Sequence, residues 1–354
     1  AMAGRSLEKL AAVRAEMGIS DAVELLTVDV DDPDSVTQMV ESCRVVITTV
    51  GPYQLYGDEL VKQCAERGTD YVDLTGEPSW MHETIAQYSS AAKASGARIV
   101  HSCGFDSIPF DLGVYRLQQH AIAKTGQPIA MVKGRVRAMN GTFSGGTIAS
   151  MRATMASAKA NPAIIQVLTN PFALTEGFTG PEQPAGMAPQ YDEELKSWSA
   201  PFIMAPINTK NIHRSNFLLG HQYGEDFRYD EMLLTGDGDQ GKAAADYVAK
   251  DDSVAKSDLQ PGEGPTKEER ENGNYDAIFA GETQDGELMI SSVQGDRDPG
   301  YGSTSKMLAE AAMCLLVNPD LASGGLWTPA AAMGDALMAR LQEHAGLTFQ
   351  IEKG

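Results

Sequence analysis

Cysteine is scarce and unpatterned: Cys43, Cys64, Cys103 and Cys314 form no Cys-x-x-Cys pair, so neither a zinc knuckle nor a disulfide framework is encoded, and a reducing cytoplasm fits this usage. Basic residues are few. The 28 Lys and Arg stand against 48 Asp and Glu, a net charge of −20, and no basic stripe offers itself to phosphates, which excludes nucleic acid as a partner. The same charge rules out a polybasic hold on anionic lipid and leaves a hydrophobic contact as the route to a peripheral membrane position. Long apolar runs are also missing. The longest, residues 311–317, falls far short of the roughly 18 residues a membrane span needs, so no transmembrane segment is expected. His82, His101, His120, His213, His221 and His344 lack the spacing of a metal site, and no catalytic metal is expected.

What is present is an ordinary apolar fraction, 42% of 354 residues, enough for a large core and two domains. The first hundred residues alternate short apolar runs with helical stretches, the pattern of a parallel sheet covered by helices. Strands are expected at 23–30, 44–50, 70–74 and 98–102. Helices are expected at 32–42, 57–67 and 80–95, the first capped by Asp32 with Pro33 behind it, the others stopped by Gly68 and Gly96. The fold class is therefore α/β: a Rossmann-like doubly wound parallel sheet followed by a second α/β substrate domain. In that second part a strand is expected at 130–139, a small-residue helix from Ser144 towards Asn161, a hairpin at 275–293, and helices at 303–317 and 330–343. Residues 170–210 are rich in proline and glycine, and 236–275 read as a polar, mobile surface insertion. The domains expected are 1–122, dinucleotide-binding; 123–300, substrate-binding and dimerising; and 301–354, C-terminal helices returning to the first domain.

In a doubly wound sheet, ligands bind beyond the carboxyl ends of the strands, and four such places carry chemistry. The first is Ala3-Gly4-Arg5-Ser6, where adenosine ribose would be read. Arg5 and Ser6 present donors for a 2′-phosphate and point to NADP, the alternative being a solvated arginine at a helix start. Asp29, at the end of the next strand, joins the cofactor candidates. The second place is Thr48-Thr49-Val50-Gly51-Pro52, whose small residues let backbone approach a cofactor; Tyr53, Gln54 and Tyr56 beside it either contact nicotinamide or substrate, or simply pack. The third, Asp73-Leu74-Thr75-Gly76-Glu77, brings two carboxylates to one cleft, as acid catalysts or as turn and helix caps. The fourth is Cys103-Gly104-Phe105-Asp106-Ser107. Gly104 and Phe105 are candidates for the cofactor surface and Asp106 for catalysis, while Asp106 and Ser107 also suit a helix cap. Covalent chemistry at Cys103 is disfavoured, since His101 has no assignable Asp or Asn partner.

The ordered motifs AMAGRSLEKL, VVITTVGPYQLYG, GTDYVDLTGE and ARIVHSCGFDSIPFDLG resemble the saccharopine-dehydrogenase-like oxidoreductases. With Ser144-Gly145-Gly146-Thr147, APINT at 205–209 and TPAAAMGDAL at 328–337, they resemble in particular the trans-acting enoyl reductase branch. That resemblance implies NADP as cofactor and a small-molecule or carrier-bound acyl substrate. It also implies a polyketide synthase as partner, a role in lipid or polyketide assembly, and a homodimer. In enoyl reduction, donors near Tyr53 or the Gly104 loop could stabilise the enolate, while Tyr53, Asp73, Glu77 and Asp106 are the catalytic candidates that the strand ends supply. Members of the branch begin with a strand and a Gly-rich loop that would lie upstream of Ala1, so weak NADP binding and an exposed sheet face are expected of the chain as given. Two other readings stand beside it: a non-catalytic Rossmann-derived protein of lipid surfaces or assemblies, and a saccharopine-type amino acid dehydrogenase. The second lacks paired arginines for a dicarboxylate.

Overall fold

The computed structural model describes residues 1–354, the side chain of Ala255 excepted. Strand β1 (Met2–Gly4) and strand β2 (Leu25–Thr27) pair in parallel around helix α1 (Leu7–Glu16), which is capped by the Ser6 hydroxyl accepting the Lys9 N–H at 3.3 Å. Helix α2 (Pro33–Glu41) begins at the expected Asp32 cap, with proline behind it. There follow β3 (Val45–Ile47), α3 (Tyr53–Tyr56), α4 (Asp58–Arg67), β4 (Asp70–Val72), α5 (Pro78–Ser95), β5 (Arg98–Val100) and α6 (Ile108–Thr125). The helices stop at Gly68 and Gly96 as the sequence indicates. Strands β3, β4 and β5 are parallel neighbours, while β1 and β2 form a two-stranded sheet of their own. The strand expected at 23–30 shrinks to three residues because Val28 to Asp32 already turn into the cap of α2, with Asp29 accepting the Asp31 N–H.

The second half comprises β6 (Met131–Asn140), α7 (Gly145–Ala160), α8 (Ala163–Thr169), β7 (Gln190–Asp192), β8 (Ser197–Pro201), α9 (Ala205–Leu218) and β9 (Arg228–Gly236). After these come α10 (Gly238–Val248), α11 (Ser253–Lys256), α12 (Lys267–Asn272), β10 (Asn274–Glu282), β11 (Leu288–Gly295), a π-helical turn at Pro299–Ser303, and α13 (Thr304–Val317). The chain closes with β12 (Gly325–Trp327), α14 (Pro329–His344) and β13 (Leu347–Lys353). Seven strands form one mostly antiparallel sheet in the order β13-β11-β10-β6-β9-β8-β7; β12 joins the first sheet beside β5. The stretch 236–275, expected as a polar insertion, thus holds three helices. Local caps make them: Asp237 accepts the Gly238 N–H at 2.7 Å, and Thr266 with Glu269 forms a reciprocal capping box. The C-terminal segment, expected as helices, also supplies one strand to each large sheet.

Two apolar clusters form the core, the larger joining one face of the first sheet (Val72, Val100) to the second sheet and the smaller lying on the other face of the first (Val46, Tyr71, Ile99). Leu74 and Met204 pack against both. Helix α6 lies so close to β10 that a Cβ on Gly113 would stand 2.0 Å from the Phe279 ring, so this contact requires glycine. Buried Arg98 pairs with Asp70 and also reaches the carbonyls of Leu315 (2.8 Å) and Asn318 (2.8 Å), fixing the carboxyl end of α13 with a cation where the helix dipole favours one.

Candidate active site at the carboxyl ends of the first sheet

The loops after β3, β4 and β5 meet beside α7 and α9. Asp73 is fully buried. Its Oδ1 accepts the N–H groups of Thr75 (3.0 Å) and Ser102 (2.9 Å), and its Oδ2 accepts the Tyr71 hydroxyl (3.0 Å) and lies 2.7 Å from His101 Nδ1. His101 Nε2 in turn meets the Thr84 hydroxyl at 3.1 Å. Every acceptor site of this carboxylate is used, which locks two adjacent strand ends together. Ser102 adopts φ +62°, a left-handed conformation costly for serine. It is held there by its bond to Asp73, by its hydroxyl donating to Thr75 O at 2.7 Å, and by Cys103 N–H donating to Asp73 O at 2.6 Å. The turn aims residues 103–107 at the second domain.

Tyr53 is buried and stacks on Trp80 with ring centroids 5.4 Å apart; its hydroxyl donates to Thr48 O at 3.1 Å, and burial with nearby Asp73 keeps its phenol protonated. Glu77, also fully buried, accepts the N–H groups of Tyr53 (2.8 Å) and Gln54 (2.9 Å), the Gln54 amide (2.9 Å) and the Ser150 hydroxyl (2.7 Å). Gln54 reaches on to Thr154 (3.0 Å) and Ser157 (2.7 Å). Sequence reasoning did not foresee these three α7 partners, although hydroxyl residues at 150, 154 and 157 share one helical face and could have pointed to them.

Asp106 differs from the other two carboxylates. It is half-buried, and it makes no hydrogen bond or ion pair among the described residues. Its Oδ2 lies 3.6 Å from where a Cβ on Gly76 would stand, and burial pushes its carboxyl up to about 6. The expected cap does not form: Ser107 occupies the N-cap position of α6 without a side-chain cap bond, and its hydroxyl accepts the Asn211 amide at 2.6 Å instead. Phe105 packs edge-on against Tyr275 (4.7 Å) and Phe110 (5.6 Å), and its N–H donates to the Thr304 hydroxyl at 3.0 Å. The thiol of Cys103 is fully buried and pushed up by that burial, as suits a packing residue. The N–H groups of Gly76 and Asp106 have no acceptor among the described residues.

Around the expected cofactor positions, Gly4 ends β1, Arg5 and Ser6 follow it, and Thr48 to Pro52 follow β3. Arg5 has no ion pair or hydrogen bond among the described residues, and Val50 is 47% exposed. Asp29 folds back on its own turn. An unpaired guanidinium at a helix start suits a phosphorylated ribose.

A parallel sheet whose carboxyl-end loops meet helices of a second, mostly antiparallel sheet domain is the architecture of the site, and the chain's likeness to known proteins makes it an NADP-dependent oxidoreductase. The family described as the saccharopine dehydrogenase NADP binding domain matches residues 1–100. Among curated proteins, the chain is 39% identical to a Mycobacterium tuberculosis protein assigned as a trans-acting enoyl reductase, over 99% of this chain and 90% of that one. It is 34% identical to the trans-acting enoyl reductase of Mycobacterium ulcerans, over 97% and 89%. Among solved structures, apo saccharopine dehydrogenase (L-Glu forming) of Saccharomyces cerevisiae shares the fold with a TM-score of 0.53 at 13% identity, covering 99% of this chain and 93% of that one. The chain belongs to the trans-acting enoyl reductase family of saccharopine-dehydrogenase-like oxidoreductases. No helix among the described residues is long and apolar enough to cross a membrane.

Proposed function

We propose that this oxidoreductase uses NADPH to saturate the α,β-double bond of a carrier-bound acyl thioester handed over by a polyketide synthase, with Asp106 as proton donor. The relatives' names support the reaction class. The observation that carries the residue assignment is Asp106 itself, the one carboxyl among Asp73, Glu77 and Asp106 left without a protein partner. Arg5 and Ser6 would hold the 2′-phosphate, and the backbone of Thr49 to Pro52 with Gly104 would border the nicotinamide. When bound, NADPH supplies a hydride to the β-carbon. The π electrons of the double bond shift towards the thioester oxygen, where the unbonded N–H groups of Gly76 and Asp106 would serve as donors to an enolate. The Asp106 carboxyl then delivers its proton to the α-carbon, and the carboxylate left behind recovers one from solvent. An acid near 6 retains a usable protonated fraction at neutral pH.

The test is NADPH consumption with the crotonyl thioester of N-acetylcysteamine. Asp106→Asn is expected to lower kcat about 100-fold and to abolish the decline in kcat that the parent shows as pH rises past about 6. Turnover unchanged in this variant removes Asp106 from the reaction.

A further inference from the structure

We infer that Glu77 and Gln54 are positioning residues that couple the seating of α7, in the second domain, to the shape of the loop 51–54 in the first. The inference deepens the reductase reading and rests on it only for the role given to that loop. Helix α3 starts after Pro52 with no side-chain cap from its own N-cap residue. Its first two N–H groups, those of Tyr53 and Gln54, are instead taken by the carboxylate of Glu77, which stands on the next loop of the sheet. A buried carboxylate with no cation beside it needs several donors, and the same two oxygens also receive the Gln54 amide and the Ser150 hydroxyl of α7. One of the donors that hold Glu77 in place therefore comes from the other domain.

Gln54 repeats the arrangement. Its amide nitrogen donates to the Thr154 hydroxyl and its amide oxygen accepts from Ser157. Positions 150, 154 and 157 lie on one face of α7, which fully buries only Gly145 and Ile148. The hydroxyl face is thus the polar hold of α7 on the first domain. A shift of α7 withdraws the Ser150 donor, loosens Glu77, and frees the N–H groups that fix where Pro52 and Tyr53 sit. Through the Tyr53 hydroxyl on Thr48 O, the displacement reaches the end of β3.

The test uses Ser150→Ala, with Ser150→Thr as the variant that keeps the hydroxyl. Hydrogen exchange is followed on the chain without cofactor, and steady-state kinetics are followed with NADPH and the crotonyl thioester. Ser150→Ala is expected to speed exchange at Tyr53 and Gln54 about tenfold. It is also expected to raise the KM for NADPH by more than it lowers kcat, with Ser150→Thr restoring both. Exchange and KM unchanged in Ser150→Ala, or a lowered melting temperature with neither altered, overturns the coupling. If the parent chain never consumes NADPH, the reductase reading falls by itself, and the exchange result alone decides whether α7 and the loop are coupled.

Discussion

Helices α7 and α9 invert the usual relation between composition and burial. Helix α9 reads as polar, yet Asn208, Lys210, Asn211, His213, Arg214, Ser215 and Asn216 are all buried. Helix α7 is made of Ala, Gly, Met, Ile, Ser and Thr with two basic residues, and it leaves Met155 58% exposed. The difference is one of position. Helix α9 runs between the sheets and serves as their polar skeleton: Lys210 donates to Leu168 O and Pro206 O, Arg214 to Leu174 O and Leu326 O, and Ser215 to Asp111. Helix α7 lies at the cleft and touches the first domain with one hydroxyl face. Burial of polar groups is tolerated where most find partners, as in α9, although His213 Nε2 finds none among the described residues. An apolar side chain such as Met155 stays open on a helix that fully buries only Gly145 and Ile148.

The comparison can be broken most forcefully in α9. Arg214→Leu leaves two carbonyls without their donor and is expected to cost about 3 kcal/mol, measured as a shift of the urea midpoint; a loss below about 1 kcal/mol would mean that the buried cation is dispensable. Next comes pH. Burial pushes the carboxyl of Glu231, which accepts from Asn208 and Tyr229, up to about 8, and that of Asp111 up to about 7. Both are raised above their unfolded values, so the stability they contribute is present at low pH and is lost as pH climbs through those values. Lys210, lowered by burial to about 8, acts in the opposite sense and restores stability only above that pH. His213, lowered by burial to about 3, likewise gains stability as pH rises, up to its unfolded value near 6.5. The urea midpoint should therefore fall most clearly from about pH 7 to about pH 8, and Glu231→Gln should flatten that fall; a midpoint that rises over that range contradicts the assignment. The smallest effect belongs to α7. Met155→Ala should change stability by no more than about 0.5 kcal/mol, and a larger loss would show that this face is covered in solution.

The same contrast explains what the sequence disclosed. The alternating pair at 275–293 announces itself because burial imposes a pattern on a few neighbouring residues, whereas the run 44–50 is legible from its β-branched composition alone, since β3 is an edge strand that leaves Ile47 49% exposed. Helix α9 gives no such signal, since the partners that its buried polar residues do find, such as Leu174 O and Leu326 O for Arg214 and Asp111 for Ser215, lie far away in the chain. Strand β13 did carry one: Leu347, Phe349 and Ile351 alternate with Thr348, Gln350 and Glu352, a period-two pattern eclipsed by the helix before it. At the site, strand-end positions pointed to Asp73, Glu77 and Asp106 as a group. They could not say which carboxylates would be saturated, because the donors that saturate Glu77 include Ser150, on another domain and 73 residues away.

Both large sheets take an edge strand from residues 325–353, β12 in one and β13 in the other. During synthesis, β5 and β11, which end up inside their sheets, therefore stand as edges until residues 325–353 have left the ribosome. The nascent protein thus passes through a period in which two strands made for the interior of a sheet are exposed as edges, the state in which a copy cut before residue 325 would be readiest to aggregate.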